Sequence, residues 1–262
     1  MADADELLRS GDLDGARAAL VEAVRGSPSD QQVRMFLFQL LCVLGEWDKA
    51  LVQLRALAQL SPEAQMLAVA YGQAITAEQT REKVFKGETQ PALLVKSSPW
   101  AGDLAGALAA LTLGKLAEAE ALRDKAFEAA PDTPGELDGR PFEWITDSDQ
   151  RFGPAIEAII AGQWGLVPFD AIERIESEGP KDLRDIVWYP VQLAFKTGQS
   201  VAALLPARYP GGATDPETSL RLARGTDWAD QPWGQAGRGQ HEWSLSDGTE
   251  AGLLTLRRLV FR

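Results

Sequence analysis

The stretch GEWDKALVQLRALAQLSP, residues 45–62, decides the fold. Gly45 precedes a run in which Trp47, Ala50, Leu51, Leu54 and Leu57 recur at three- and four-residue steps, the spacing of a helix with one buried face. Pro62 closes the unit seventeen residues after the glycine. The same frame returns upstream as GDLDGARAALVEAVRGSP, residues 11–28, and downstream as GKLAEAEALRDKAFEAAP, residues 114–131. Each copy places an apolar residue two after the glycine (Leu13, Trp47, Leu116) and an alanine five after it (Ala16, Ala50, Ala119). The first two glycines are thirty-four residues apart, and the third lies sixty-nine further on, close to two more periods. That period belongs to tetratricopeptide-type helix pairs, whose stacks form concave surfaces that hold peptides or helices. The pattern favours an adaptor over a catalyst.

Outward from these units, Asp3 to Ser10 supplies a first helix, Gly11-Asp12 a turn and Leu13 to Arg25 the return. Asp30 is placed to cap the next helix, whose apolar face is Phe36, Leu37, Leu40, Leu41 and Leu44. No unit begins near Gln79, where the period expects one; Glu63 to about Lys86 reads as one long helix, followed by a loop from Gly87 to Pro99. Regular pairing resumes at Asp103, with Leu104, Leu108 and Leu111 facing the core. Phe38 stands seven residues before Gly45, where these repeats favour a small residue, so helix packing is altered there.

Beyond Pro134 the pattern changes. Six of the eight Trp, many Gly and Pro, and strand-like runs follow: FEWIT at 142–146, IVWY at 186–189 and VAALL at 201–205. Asp247-Gly248 joins HEWSLS to the apolar run Leu253 to Phe261 and predicts a terminal hairpin. Pro154 to Gly162 and Phe169 to Glu178 read as helices, the first opening on a proline. The fold class is α+β: a tetratricopeptide-like helical domain over residues 1–134, then a small antiparallel sheet or barrel with attached helices over 135–262.

The chain has 262 residues and a formal net charge of -12. Such acidity argues against nucleic acid and against an anionic membrane surface, since both need clustered cations. Solubility is the plain reading of the charge. Cys42 is the single cysteine, set among Leu40, Leu41, Val43 and Leu44, and reads as a buried small side chain. The amino terminus lacks the basic start and apolar core of a secretory signal, and no apolar run approaches the roughly twenty residues that span a bilayer. A cytoplasmic protein is expected.

His241 is the single histidine and falls in an expected strand, so a sheet histidine bonded to a neighbour outweighs a catalytic or metal-bound one. No nucleophile elbow, zinc motif, phosphate loop or dinucleotide fingerprint occurs, and Gly234, Gly237 and Gly239 read as turns or a bulge. Asp147, Asp149, Asp185 and Asp227 could supply an acid/base pair, but acidic residues are too common here for that to carry weight. No metal or cofactor is called for.

Several fragments together resemble the ImpE/TagJ family, accessory proteins of bacterial type VI secretion systems. They are DQRFGPAIEAIIAGQWGLVPFDAI from Asp149, GPKDLRDIVWYP from Gly179, LPARYPG from Leu205, LRLARGTDW from Leu220 and GLLTLRRLVF from Gly252. The family-like positions are Asp149, Arg151 and Phe152, then Arg184, Asp185 and Trp188, then Arg224 and Asp227. The resemblance implies a cytoplasmic, non-enzymatic protein that binds the amino-terminal helix of the small sheath subunit TssB and tunes sheath assembly or its recycling by ClpV. Arg151 and Arg184 could equally pair with Asp185 or Asp227 and fix loops. A helix-in-groove surface is expected from the aromatics that bracket the domain boundary, Phe36, Trp47, Trp100, Trp144 and Trp228. Two other classes compete: a tetratricopeptide co-chaperone or scaffold whose groove uses Arg34, Lys49 and Arg55 on a peptide carboxylate, and a carboxylate-based hydrolase.

Overall fold

The three turn glycines, Gly11, Gly45 and Gly114, adopt φ of 89°, 68° and 73°, a conformation that favours glycine. Around them, a computed structural model describing residues 2–95 and 98–262 builds the expected pairs: α1 (Ala2–Ser10) with α2 (Leu13–Gly26), α3 (Gln31–Val43) with α4 (Trp47–Ala58), and α6 (Ala101–Thr112) with α7 (Leu116–Ala129). The long α5 (Pro62–Phe85) lies between them. Caps follow from local chemistry. Asp30 accepts from the amides of Gln32 and Val33, and Ser61 accepts from Ala64 with Pro62 at the first helical position. Phe38 is fully buried and meets Tyr71 of α5 edge-on, ring centres 6.1 Å apart, so α5 gives way to the bulk where a small residue was expected.

The strands are β1 (Gly135–Leu137), β2 (Arg140–Phe142), β3 (Ile145–Asp147), β4 (Ala155–Ile160), β5 (Gln163–Pro168), β6 (Ile172–Glu176), β7 (Trp188–Phe195), β8 (Ser200–Pro206), β9 (Thr226–Gln231), β10 (Gly234–Gly239), β11 (Glu242–Leu245), β12 (Glu250–Gly252) and β13 (Arg258–Phe261). A four-residue helix, α8 (Thr218–Arg221), precedes β9. Eight strands form one antiparallel sheet in the order β2-β1-β13-β6-β7-β8-β4-β5. β12-β11-β3 form a second, and β10-β9 a separate hairpin. Leu137, Val167, Phe169, Tyr189, Trp243 and Phe261 belong to the core between the two larger sheets.

Five expectations change. The segment 154–162 is a strand, not a helix, because it buries both faces: Ala155 to Ile159 are all buried, so neither alternation nor a helical stripe is visible. It turns through Ala161-Gly162, both at positive φ, into β5. The segment 169–178 is a short 3-10 turn and then β6, paired with β7 and β13. FEWIT divides between β2 and β3 at Glu143-Trp144, and Ile186 ends a 3-10 turn before β7. The Asp247-Gly248 turn does make a hairpin, but its return strand is β12, and the terminal run crosses to the larger sheet as β13.

Helices give way to strands between Ala129 and Gly135, and packing continues across that point. One apolar core joins Leu37, Leu40 and Leu54 of the helices to Phe152, in the turn before β4, and to Trp164 and Trp188 of the strands. The Trp188 ring lies 5.7 Å from Trp47 and 6.0 Å from Tyr71, so the central strand β7 seats directly on the repeat stack. Gly45, at the turn of the second pair, faces Ala213 with room for no further carbon.

Candidate functional site

Where the helices meet the sheet, the last two turns of α5 present Glu78, Arg81, Glu82 and Phe85, spaced three, four and seven residues apart and so on one face. Across from them runs the segment after β8, from Ala207 to Thr214. Between the two lies a cleft of about 280 Å³ walled by Trp47, Phe85, Val187, Tyr209 and Pro210, with the largely buried Arg81 and Arg208 also in its lining. Apolar walls with few fixed polar groups are the usual make-up of a binding cleft.

Its floor is a buried ionic network. The guanidinium of Arg81 donates from Nε and Nη2 to both oxygens of Glu157, at 2.6 and 2.7 Å, and from Nη1 to Glu78 at 2.8 Å. Nη2 also donates to the Arg208 carbonyl at 2.9 Å. The indole of Trp164 donates to Glu157 and that of Trp188 to Glu78. His241 sits between two carboxylates, Nδ1 at 2.8 Å from Asp147 and Nε2 at 2.9 Å from Glu157. The Tyr209 hydroxyl donates to Asp147 at 2.9 Å.

These contacts fix the charges. Burial opposes the charged imidazolium, yet the facing Asp147 and Glu157 outweigh it and raise His241 to about 9. Burial likewise opposes the Glu157 carboxylate, and Arg81 with His241 overrides it, holding the group down at about 2. Asp147 is pushed up by burial despite the imidazolium, and the Tyr209 hydroxyl is pushed far above its ordinary range. The space beside Asp147, Glu157 and His241 is about 10 Å³, no more than the share of a single water, so this constellation has no room for a substrate.

The family-like residues prove to be anchors of this frame. Asp149 accepts from the amide and Nε of Arg151, both at 2.9 Å, and from the Gly237 amide at 2.7 Å. Asp182 accepts in the same way from the amide and Nε of Arg184. Both arginines thus pair with the aspartate two residues before them, not with Asp185 or Asp227, because an Asp-x-Arg turn brings its own partner. Arg184 also covers the Tyr71 ring at 4.4 Å. Asp185 completes a capping box with Asp182, and Asp227 pairs with Arg238 at 2.8 Å. Of the four aspartates considered as an acid/base set, Asp147 and Asp149 stay together, the Asp149 amide donating to Asp147 at 2.9 Å, while Asp185 and Asp227 belong to separate local structures. Phe152 is fully buried 5.2 Å from the His241 ring, and Arg224 reaches the carbonyls of Leu8 and Arg9 on α1.

Of the five aromatics expected at a binding surface, Trp47 lines the cleft, its indole donating to Glu82 at 2.7 Å. The other four lie outside its lining. Trp100 is buried and donates to Asp170, Phe36 and Trp228 are half-buried, and Trp144 is exposed between β2 and β3. Glu78, Arg81, Glu157 and Arg208 were not singled out in the sequence. A signal existed for the first two, which interrupt the stripe Ala74, Ile75, Ala77 and Val84 of α5. Among the described residues, no group of three His, Cys, Asp or Glu converges to hold a metal ion.

Comparison with known proteins follows this geometry. The ImpE protein family matches residues 139–260, and a tetratricopeptide repeat family matches residues 7–70. The type VI secretion system accessory component TagJ of Pseudomonas aeruginosa is 40% identical over 260 residues, covering 98% of this chain and 90% of that protein. The chain belongs to the ImpE/TagJ family. A crystal structure of protein VPA1032 from Vibrio parahaemolyticus has the same fold, with a TM-score of 0.86, 24% identity and coverage of 99% of this chain and 97% of the other. Within an ImpE/TagJ frame, three of the fragments that carry the resemblance reach the cleft or its floor, through Glu157 and Trp164, Trp188, and Arg208 with Tyr209.

One contact of that floor is steric. A Cβ at Gly237 would sit 2.3 Å from the ring of Tyr209, which is held by Asp147 and lies against His241 at 4.0 Å. Gly237→Ala is expected to lower stability by about 1–3 kcal/mol, the cost of overpacking a fixed ring. Urea unfolding measures it against Gly26→Ala, where a new Cβ meets nothing and stability should hold or rise. Equal midpoints for the two variants would show that the ring is free to move.

Proposed function

We propose that this chain is a non-enzymatic accessory protein of a bacterial type VI secretion system, acting in the cytoplasm. In this reading it holds the amino-terminal helix of the small sheath subunit TssB and so tunes sheath assembly or its recycling by ClpV. The observation that carries the reading is the 40% identity to TagJ along almost the whole chain. Two features of the structure support it. The cleft has largely apolar walls and lies beside a helix stack, as helix-in-groove recognition needs. The one Asp-His-Glu constellation is walled in.

A carboxylate clamp on the repeats draws less support, because Arg34 is already committed to the Pro28 carbonyl and Gln53, and Lys49 to Glu46. Calorimetric titration with a synthetic peptide covering the TssB amino-terminal helix from the same operon tests the proposal, a scrambled peptide serving as control. Saturable, sequence-specific binding with a negative heat-capacity change is expected. Absence of binding at high peptide concentration overturns it.

A further inference from the structure

Arg208 is only 5% exposed, yet it has no carboxylate within the 4.0 Å of an ion pair among the described residues. Guanidinium has five N–H donors. Here Nη1 donates to the carbonyls of Val43 and Arg221, at 2.9 and 2.7 Å, while Nε and Nη2 have no hydrogen-bond partner among the described residues and are not shut away from solvent. The opening that the side chain lines is the cleft. A buried charge without a counter-ion is costly, and folded proteins rarely tolerate one without use.

The other charges of the cleft pair off. Arg81 is taken by Glu157 and Glu78, Lys86 approaches Glu82 at 4.0 Å, and Glu82 also accepts from Trp47. Arg208 is left between apolar walls without an ion-pair partner among the described residues, in a chain whose net charge is -12. Burial pulls it down to about 10; Glu78 is the strongest charge acting against that, and Arg81 and Arg221 add repulsion. Its stem is held in place: a Cβ at Gly212 would lie 2.9 Å from the Arg208 Cβ, so the loop backbone presses directly on the side chain.

We propose that a partner helix inserts one acidic side chain, flanked by apolar residues, into this cleft, and that its carboxylate pairs side-on with Nε and Nη2 of Arg208. This rests on the helix-binding reading above and names the residue chemistry that it selects. A volume of about 280 Å³ takes a few side chains and not a whole helix, so the helix lies across the mouth. The planar fork of an arginine matches a carboxylate through two parallel hydrogen bonds, and the dry wall strengthens them.

The test titrates the full chain with the TssB-helix peptide and with the same peptide carrying Asn and Gln for every Asp and Glu. The amidated peptide should bind the unsubstituted protein at least tenfold more weakly, and Arg208→Met should bind both peptides equally weakly. Because Arg208→Met also loses two backbone contacts, the Arg208 Nε–Hε NMR signal of the unsubstituted protein is followed in parallel. It should shift with the acidic peptide and stay in place with the amidated one. Equal affinity for the two peptides, or an unmoved Arg208 signal on saturation, overturns the pairing while leaving helix binding intact. Failure of the acidic peptide to bind at all overturns the functional reading, and the pairing with it.

Discussion

Arg81→Met is expected to destabilise the protein by about 3–5 kcal/mol, the range for removing one partner of a buried ion pair. The side chain is fully enclosed and spends all three guanidinium nitrogens inside the molecule. Methionine matches the volume roughly, so the loss is electrostatic. Glu157 would retain Trp164 and His241, and Glu78 would retain Trp188, but the cation that balances them both would be gone. Arg81→Lys should recover only part of the loss, since a single ammonium cannot span both oxygens of Glu157 and also reach Glu78. Arg55→Met, on the exposed last turn of α4, should change stability by less than about 0.5 kcal/mol. Urea midpoints at constant slope give the comparison. Hydrogen exchange adds location, with amides of α5 and β4 losing protection together because Arg81 is what ties them. A cost below about 1 kcal/mol for Arg81→Met would mean that apolar packing alone holds the helices to the sheet.

The same arginine shows where sequence reasoning stops. Gly11, Gly45 and Gly114 declared the helix pairs because each needs positive φ at a fixed distance from an apolar stripe, and both requirements are local. Trp47 was legible as an anchor for the same reason. Glu157 was not legible, since it lies in the middle of AIEAII and its partners come from α5, seventy-six residues before, and from His241, eighty-four after. Read locally, a glutamate in that run marks the solvent face of a helix; in the fold it is a buried carboxylate of the junction. Arg151 and Arg184 failed in the opposite direction. Asp185 or Asp227 was the expected partner, and the aspartate two residues before each arginine was the one that mattered. Arg208 carried no local signal at all, because its meaning lies in the absence of a partner that only the packed structure can show.

Stability should decline as the pH rises from about 6.5 to 9, and His241 should be responsible. An exposed histidine titrates near 6.5, while His241 between Asp147 and Glu157 is raised to about 9. A folded-state value above the unfolded one means that the native protein holds the proton more tightly. The stabilisation is therefore complete below about pH 6.5, falls through the interval and is spent above 9. The shift of about 2.5 units corresponds to roughly 3 kcal/mol. Glu157 acts at the other end, being held down at about 2, so its contribution is present above 4.5 and is lost only in strong acid. Asp147 is pushed the other way, up, by burial. Paired urea titrations of the unsubstituted protein and His241→Gln between pH 6 and 9.5 isolate the histidine from every other titrating group. The gap between them should narrow by about 3 kcal/mol as the pH rises, because only the unsubstituted protein has a proton to lose there. A gap that stays constant across the interval would place a neutral imidazole in the folded protein and leave Asp147 and Glu157 to be balanced by Arg81 and Tyr209 alone.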